Sequence, residues 1–471
     1  MSPPASMSAR SRIAAVYLLG FSIDLANMFA INAAYPALQR ELHASVTQLA
    51  WIGNIYMLGL TVVIPLGAWL AHRFGERRLL AASLLVFALG SAGAASAQSI
   101  GALLASRLVQ GLGGGLLIPV GQAMTYRAYP RETRARLTSI VMMVALLVPA
   151  TSPALGGVIV DHASWRAVFA GMLALAALAC VLALAWLPAD VSNDAPRPLD
   201  AAGLGLSAAG LIALLLGFTF ASRRGAPMPA IAALAIACVA GLAYVRHARR
   251  SSAPLLDLAL LSQPLLRVGV VIYLCVPGVF TGVNLIASLF LQNALGLSAT
   301  QVGALMVPWS AASFAAIATT RRAFPLHGPR PLLACGIVIA CIGVALLATP
   351  LAAHEAGRML AYAAMGFGAS LCTSTSQSAA FLDVPADRMG EASALWNINR
   401  QLSFCLGSAV LGSALNFLLA LDGGAAPLAY RQCFALGALL TLLPLPLVAR
   451  LGSRRARVSP TVSSDTQSNR S

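Results

Sequence analysis

Long apolar runs separated by short polar breaks fill almost the whole chain. Fourteen such segments can be drawn, near residues 13–35, 50–71, 79–98, 100–124, 137–160, 165–187, 201–221, 228–245, 267–291, 301–320, 331–351, 357–381, 392–420 and 431–450. Proline- and arginine-containing breaks divide them, among them Pro188 to Pro198, Arg223 to Pro227 and Pro325 to Pro331. A helix needs about 20 apolar residues to cross the hydrocarbon of a bilayer, so each segment predicts a transmembrane helix and the fold class is an all-α polytopic membrane protein. The first segment follows Arg10 and Arg12. It is too long for the apolar core of a signal peptide, which predicts an uncleaved first span.

Composition strengthens this picture. Of 471 residues, 59% are hydrophobic and 10% charged, against about 25% charged in a soluble domain. Lipid must therefore be part of the solvent. The net charge is +16, and all 31 basic residues are arginine. They stand in short stretches between apolar runs, not as a patch on a soluble domain, which excludes a nucleic-acid partner. With both termini in the cytoplasm, most arginines fall in cytoplasmic loops and tails, as the positive-inside rule requires. Residues 188–200 and 382–391, net acidic yet cytoplasmic, fit this rule poorly, as do Arg223 and Arg224 on the outer side. The eight cysteines show no paired ligand spacing, so neither disulfides nor a metal site is expected, and no cofactor is called for.

An internal repeat organises the chain. Gly75-Glu76-Arg77-Arg78-Leu79-Leu80, after the second segment, returns as Gly328-Pro329-Arg330-Pro331-Leu332-Leu333 after the tenth. Repeats of this kind are common in secondary transporters. The expected organisation is an N-terminal six-helix bundle (1–187), a linker with two additional helices (188–266), a C-terminal six-helix bundle (267–450) and a disordered cytoplasmic tail (451–471).

Ionisable groups deep in a span mark function by default, because lipid makes them costly. Of fifteen acids only Asp24 lies deep in a span, roughly 16 Å from its cytoplasmic end at 1.5 Å per residue. Asn27 and Asn32 flank it on one broad arc of the helix. Asp24 is thus the candidate proton carrier, with a purely structural acid as the alternative, and Asn27 and Asn32 are candidate substrate contacts. Arg107 lies in the fourth segment, ahead of Gln110-Gly111-Leu112-Gly113-Gly114-Gly115. No Gly-Lys-Ser/Thr follows, so these glycines are no phosphate loop; they let helices approach closely. Arg107 is assigned to proton coupling as a modulator of Asp24. On the thirteenth segment Asn397, Gln401 and Ser408 share the face of Arg400, while Asn399 points away. The twelfth is hydroxylated from Ser370 to Ser378 and includes Gln377. Asn284, Gln377, Asn397, Arg400 and Gln401 complete the candidate substrate-binding set. Pro149, Pro153 and Gly157 recur at intervals of four on the fifth segment; they remove backbone donors and admit bending at a moving interface.

Several of these stretches resemble known motifs. Arg107 to Gly115 is similar to the fourth-helix motif RxxQGxGxG of the major facilitator superfamily. Val148 to Gly157 is similar to the antiporter motif GPxxGPxxGG, with Val148 and Ser152 in place of glycines. Trp165-Arg166 with Phe169 resembles WRxxF at the start of the sixth helix. Leu291-Gln292, Gly296, Ser298, Gly303 and Pro308, and Arg400-Gln401-Leu402 with Gly407, match patterns of the fourteen-helix drug:proton antiporter branch. The chain resembles that branch, of bacterial multidrug efflux type, over nearly its whole length. The resemblance implies the major facilitator fold: two six-helix bundles plus two extra central helices, alternating access around a central cavity, and export by a monomer embedded in inner-membrane lipid. Two departures stand out. The acid five residues before the asparagine of NxxxP (here Asn32 and Pro36) is replaced by Asn27, one turn after Asp24. In the loop motif GxLADRxGRR the aspartate position is His72. His72, Arg73, Gly75 and Arg77 on that loop, with Pro149, Pro153 and Gly157, are assigned to gating.

The sequence therefore reads as a proton-coupled exporter whose partners are protons and a small molecule. Two candidate arginines against one acid leave open an anionic metabolite, such as an organic acid or a metal chelate. A non-transporting membrane enzyme or sensor is the rival of another class, but no catalytic cluster stands at either membrane face, and no nucleotide loop serves an ATP-driven pump. Imidazole changes charge within the physiological pH range where aspartate does not. His72→Asp is therefore expected to flatten the dependence of turnover on cytoplasmic pH, as measured in proteoliposomes.

Overall fold

The structure is a computed structural model and describes residues 7–44, 46–190, 199–221, 227–251, 254–297, 299–421 and 426–451. The expected tail beyond 451 and the arginines at 223 and 224 lie outside these residues. So do the side chains of Asn32 and Pro153. Among the described residues all regular structure is helical. The main helices are α1 (Met7–Ala30), α2 (Val46–Val63, extended by Gly67–Phe74), α3 (Glu76–Ala95), α4 (Ile100–Gly114, extended by Leu117–Ala128), α5 (Arg131–His162), α6 (Trp165–Trp186), α7 (Ala201–Ala221) and α8 (Pro227–Ala248). Then follow α9 (Pro264–Tyr273, extended through a π-helical turn at Pro277 to Val279–Leu289), α10 (Met306–His327), α11 (Pro329–Ala348), α12 (Glu355–Ala380), α13 (Met389–Leu421) and α14 (Ala426–Leu442).

Among the described residues, eleven helices are long and apolar enough to cross a membrane. Helices α5, α7 and α12 are not in that group. Helix α5 begins with Arg131, Glu132, Arg134 and Arg136, and α12 carries the hydroxyl-rich run from Ser370 to Ser378, which lowers its mean hydropathy. Helix α7 is itself apolar along its 21 residues, Ala201–Ala221.

Packing divides the helices into two halves. In the first, α3 packs on α4 and α6, α2 on α4, and α1 on α5. In the second, α11 packs on α12 and α14, α10 on α12, and the extension of α9 on α13. Each half has its own apolar core, one around Ile23, Tyr56 and Phe87, the other around Val283, Met365 and Phe434. Helices α7 and α8 pack on each other, and α7 also touches α2 and α13, so the pair stands beside both halves. Ile231, Val239 and Leu242 of α8 point outward, an apolar face that lipid can cover.

The repeat seen in sequence has one backbone solution. Gly75 (φ +87°, ψ 153°) ends the extension of α2 and starts α3, and Gly328 (φ +73°, ψ −176°) does the same between α10 and α11. Only glycine occupies this region without steric cost. Asp200 ties the ends of α7 and α8: it accepts hydrogen bonds from Gly203 N (2.8 Å), His247 Nε2 (2.7 Å) and Leu255 N (3.2 Å). Burial works to raise its pKa, but these hydrogen bonds outweigh it and hold the carboxyl below the usual range.

The Trp-Arg pair opening α6 clamps Glu41, which lies outside the spans. Trp165 Nε1 donates to Glu41 Oε2 at 2.9 Å, and Arg166 donates to the same oxygen at 2.7 Å and to Ala97 O at 3.2 Å. The hydrogen bonds from Trp165 and then Arg166 lower the Glu41 pKa. A carboxyl with a depressed folded-state pKa stabilises the fold above its unfolded value, about 4.3, and loses that contribution as pH falls through the folded value. Thermal melts of wild type and Glu41→Gln are therefore expected to differ at neutral pH and to converge in acid below about pH 4.

Candidate functional site

A cavity of about 910 Å³ lies between the halves. Its wall is mostly apolar and aromatic, with Phe21, Phe29, Trp51, Phe280, Trp309 and Phe404 among its residues. Its polar groups include Asp24, Asn54, Gln122, Gln377, Asn397, Arg400 and Gln401, with hydroxyls such as Ser370 and Thr373. Large, mostly apolar cavities with few convergent polar groups are the usual form of small-molecule sites.

Asp24 is 2% exposed and accepts a hydrogen bond on Oδ1 from the Tyr56 hydroxyl. The Tyr56 ring faces Arg107, whose Cζ stands 4.4 Å from the ring centroid. Arg107 is fully buried and forms no ion pair among the described residues. It donates instead to Asn27 Oδ1 (2.9 Å), Gln110 Oε1 (2.8 Å) and Ile52 O (3.2 Å). Gln110 passes the chain on to Ser91 at 2.7 Å. Arg107 thus reaches Asp24 through the face of Tyr56, not directly.

The glycines after Arg107 make this approach possible. A Cβ at Gly111 would lie 2.2 Å from Tyr56 O, and one at Gly114 would lie 2.9 Å from the Tyr56 hydroxyl and 3.2 Å from Asp24 Oδ1. Tyr56 escaped the sequence reading, and Gly114 was read only as a close-packing glycine. A tyrosine in an apolar run carries no positional signal of its own, and a helix-packing glycine does not say what it packs against.

The other expected residues separate by place. Gln377, Asn397, Arg400, Gln401 and Pro149 line the cavity. Asn27 lies behind the wall as a partner of Arg107, and Asn284 is half-buried away from it. Asn399 points away from the cavity and donates to Val270 O at 3.3 Å. Gly157 lies along α5 beyond Pro149, and the neighbouring Gly156 brings α5 against α1: a Cβ there would meet Ala30 O at 2.5 Å.

Hydrogen bonds between the halves close one end of the cavity. Gln122 Oε1 accepts from Ser393 Oγ (2.9 Å) and Asn397 Nδ2 (2.8 Å). Gln377 Nε2 donates to the Tyr126 hydroxyl (3.2 Å), and Arg134 donates to Phe381 O (2.6 Å). Phe381 packs between Tyr126 and Trp396, with ring centroids 4.9 and 5.8 Å away. This is the end that carries the loops of Gly75 and Gly328, and the lining residues run from here toward the opposite ends of α1, α5 and α13.

At the Gly75 loop an acid arrives from a distant segment. Asp190 accepts from Arg77 N (2.9 Å) and Arg78 N (3.1 Å) at the start of α3. The Arg77 guanidinium donates to Leu184 O, and Arg127 pairs with Glu76. His72 and Arg73 sit in the last turn of the α2 extension. Asp257 and Glu391 both pair with Arg388. Asp190 and Glu391, from the segments that fitted the charge rule poorly, thus have local partners.

The sequence profile described as Major Facilitator Superfamily matches residues 17–408. The multidrug resistance protein Stp of Mycobacterium tuberculosis (strain CDC 1551 / Oshkosh) is 29% identical over 399 residues, covering 84% of this chain and 74% of that protein. The drug efflux pump JefA of the same strain is 28% identical over 415 residues, covering 86% of this chain and 81% of its own length. Among solved structures, that of the human organic anion transporter MFSD10 aligns with a TM-score of 0.66 and 18% identity, over 95% of this chain and 100% of that one; this is a likeness of fold.

Gln122 receives two hydrogen bonds across the closed end. Each is worth about 1 kcal/mol net, so Gln122→Leu is expected to favour opening of this end by roughly tenfold or more. Faster amide hydrogen exchange at the start of α13 than in wild type is the measurement that checks it.

Proposed function

The chain belongs to the Major Facilitator Superfamily, and from that premise we propose that it exports small molecules across the inner membrane in exchange for protons. It is a multi-pass membrane transporter of small molecules, not an enzyme. Export is supported by the relatives named for drug efflux and multidrug resistance. Proton coupling is supported chiefly by one observation: a buried carboxyl, Asp24, reaches the cavity and is held there by Tyr56.

In this reading all of α1 to α14 cross the membrane, including α5, α7 and α12. Residues 1–187 and 267–450 act as the two moving bundles, with 188–266 between them, and the protein works as a monomer in lipid. Both termini are cytoplasmic, which makes the closed end the cytoplasmic one and the cavity outward-facing. Asp24 takes a proton from the outer side. Neutralising it weakens the charge-assisted hydrogen bond from Tyr56, which frees α2 from α1 and lets the bundles rock. Arg107 is a positioning residue: it holds the Tyr56 ring and, through Asn27, the wall behind Asp24. His72, Arg73, Gly75 and Arg77 belong to the cytoplasmic gate, with Asp190 holding the start of α3 beside a loop whose motif aspartate position is His72. Pro149, Pro153 and Gly157 let α5 bend where it borders the cavity.

Purified protein in liposomes tests this. Asp24→Asn is expected to abolish transport driven by an imposed pH gradient while leaving the protein folded and able to bind substrate. Tyr56→Phe, which keeps the ring over Arg107, is expected to slow driven transport about tenfold through loss of one hydrogen bond to a charged group. Undiminished gradient-driven transport by Asp24→Asn would remove this acid from the mechanism.

A further inference from the structure

Three N–H groups on the cavity wall are buried without any acceptor among the described residues: Arg400 Nε, Gln401 Nε2 and Trp309 Nε1. All three are donors. Buried donors are normally satisfied, so these three mark a stretch beside the cavity where the protein supplies donors and no acceptor. Arg400 also carries a full charge and forms no ion pair among the described residues. It stands over the Phe21 ring, with Cζ 5.9 Å from the centroid. Trp309 lies parallel to Phe280, with centroids 5.5 Å apart and planes 15° apart.

The acid in the same cavity is differently placed. Asp24 is 2% exposed and already accepts from Tyr56. A cationic ligand would have to compete for that carboxylate while facing Arg400. An anionic ligand meets a guanidinium that forms no ion pair among the described residues, and planar guanidinium matches planar carboxylate bidentately.

We infer that the cavity selects aromatic compounds that carry a carboxylate or a comparable anionic acceptor, with the charge at Arg400 and Gln401 and the ring against Trp309 and Phe280. This deepens the export reading and rests on it for the cavity's being the substrate site. It also separates two tasks. Arg400 reads the charge of the substrate and Asp24 carries the proton, so proton and substrate do not compete for one carboxylate.

The test is equilibrium binding with no pH gradient, so that failure of proton coupling leaves its outcome untouched. Three ligands sharing one ring are titrated calorimetrically into purified full-length protein in lipid nanodiscs at pH 7, with empty nanodiscs subtracted: naphthalene-2-carboxylate, its carboxamide and 2-(aminomethyl)naphthalene. The carboxylate is expected to bind about tenfold tighter than the carboxamide, and tighter still than the ammonium. Arg400→Gln is expected to bring carboxylate and carboxamide within about threefold of each other. Arg400→Lys, which keeps the charge but not the planar fork, is expected to keep the order and weaken the carboxylate; it serves if Arg400→Gln does not fold. Equal binding of the three by wild type, preference for the ammonium, no binding of the carboxylate, or a carboxylate preference that survives intact in Arg400→Gln would each overturn the inference. Gradient-driven transport by wild type that is lost in Asp24→Asn would still support the export reading in every one of these cases.

Discussion

A fully buried guanidinium with no ion pair depends on neutral partners, and Arg107 draws them from three helices at once, through Nε and Nη1, while its Nη2 has no acceptor among the described residues. Its hydrogen bonds run to a carbonyl of α2, to Asn27 of α1 and to Gln110 of its own helix, and the face of Tyr56 covers it. A desolvated cation over an aromatic ring contributes up to about 2 kcal/mol, so ring and guanidinium hold each other in place. Because the hydroxyl of that same ring meets Asp24, the position of the candidate proton site is a consequence of how Arg107 is accommodated. The small residues at 111 and 114 are what let α4 come close enough.

The closed end follows another rule. Among the described residues the hydrogen bonds that join the halves there include one from Arg134 and three between uncharged groups. At about 1 kcal/mol each, such bonds are exchanged easily for water or for new partners. Breaking a buried ion pair costs about 3–5 kcal/mol. A transporter that must open this end in every cycle is better served by amides and hydroxyls. The ion pairs in the described residues lie instead in the loops and helix ends, at Glu41, Glu76, Asp200 and Arg388. There they set the ends of helices within or beside a half.

The sequence by itself determined the apolar segments, the helical class, the repeat at Gly75 and Gly328, and the isolation of Asp24, Arg107 and Arg400 among apolar neighbours. These are local properties: lipid requires continuous apolar helices with internally satisfied backbones, and positive φ requires glycine. The motif after Arg107 was also legible, because close helix contact needs small residues wherever it occurs. What only the tertiary structure decided is which polar groups meet. Tyr56 stands 32 residues from Asp24, Asp190 stands 113 from Arg77, and Gln122 lies 275 from Asn397. Helical periodicity correctly put Asn397 and Gln401 on the face of Arg400 and turned Asn399 away, but it placed Asn27 with the cavity when its oxygen is engaged by Arg107 behind the wall. Periodicity gives the direction of a side chain around its own helix axis and nothing about the neighbour in that direction, and in a bundle the neighbour decides whether a polar group becomes part of a site or part of its support.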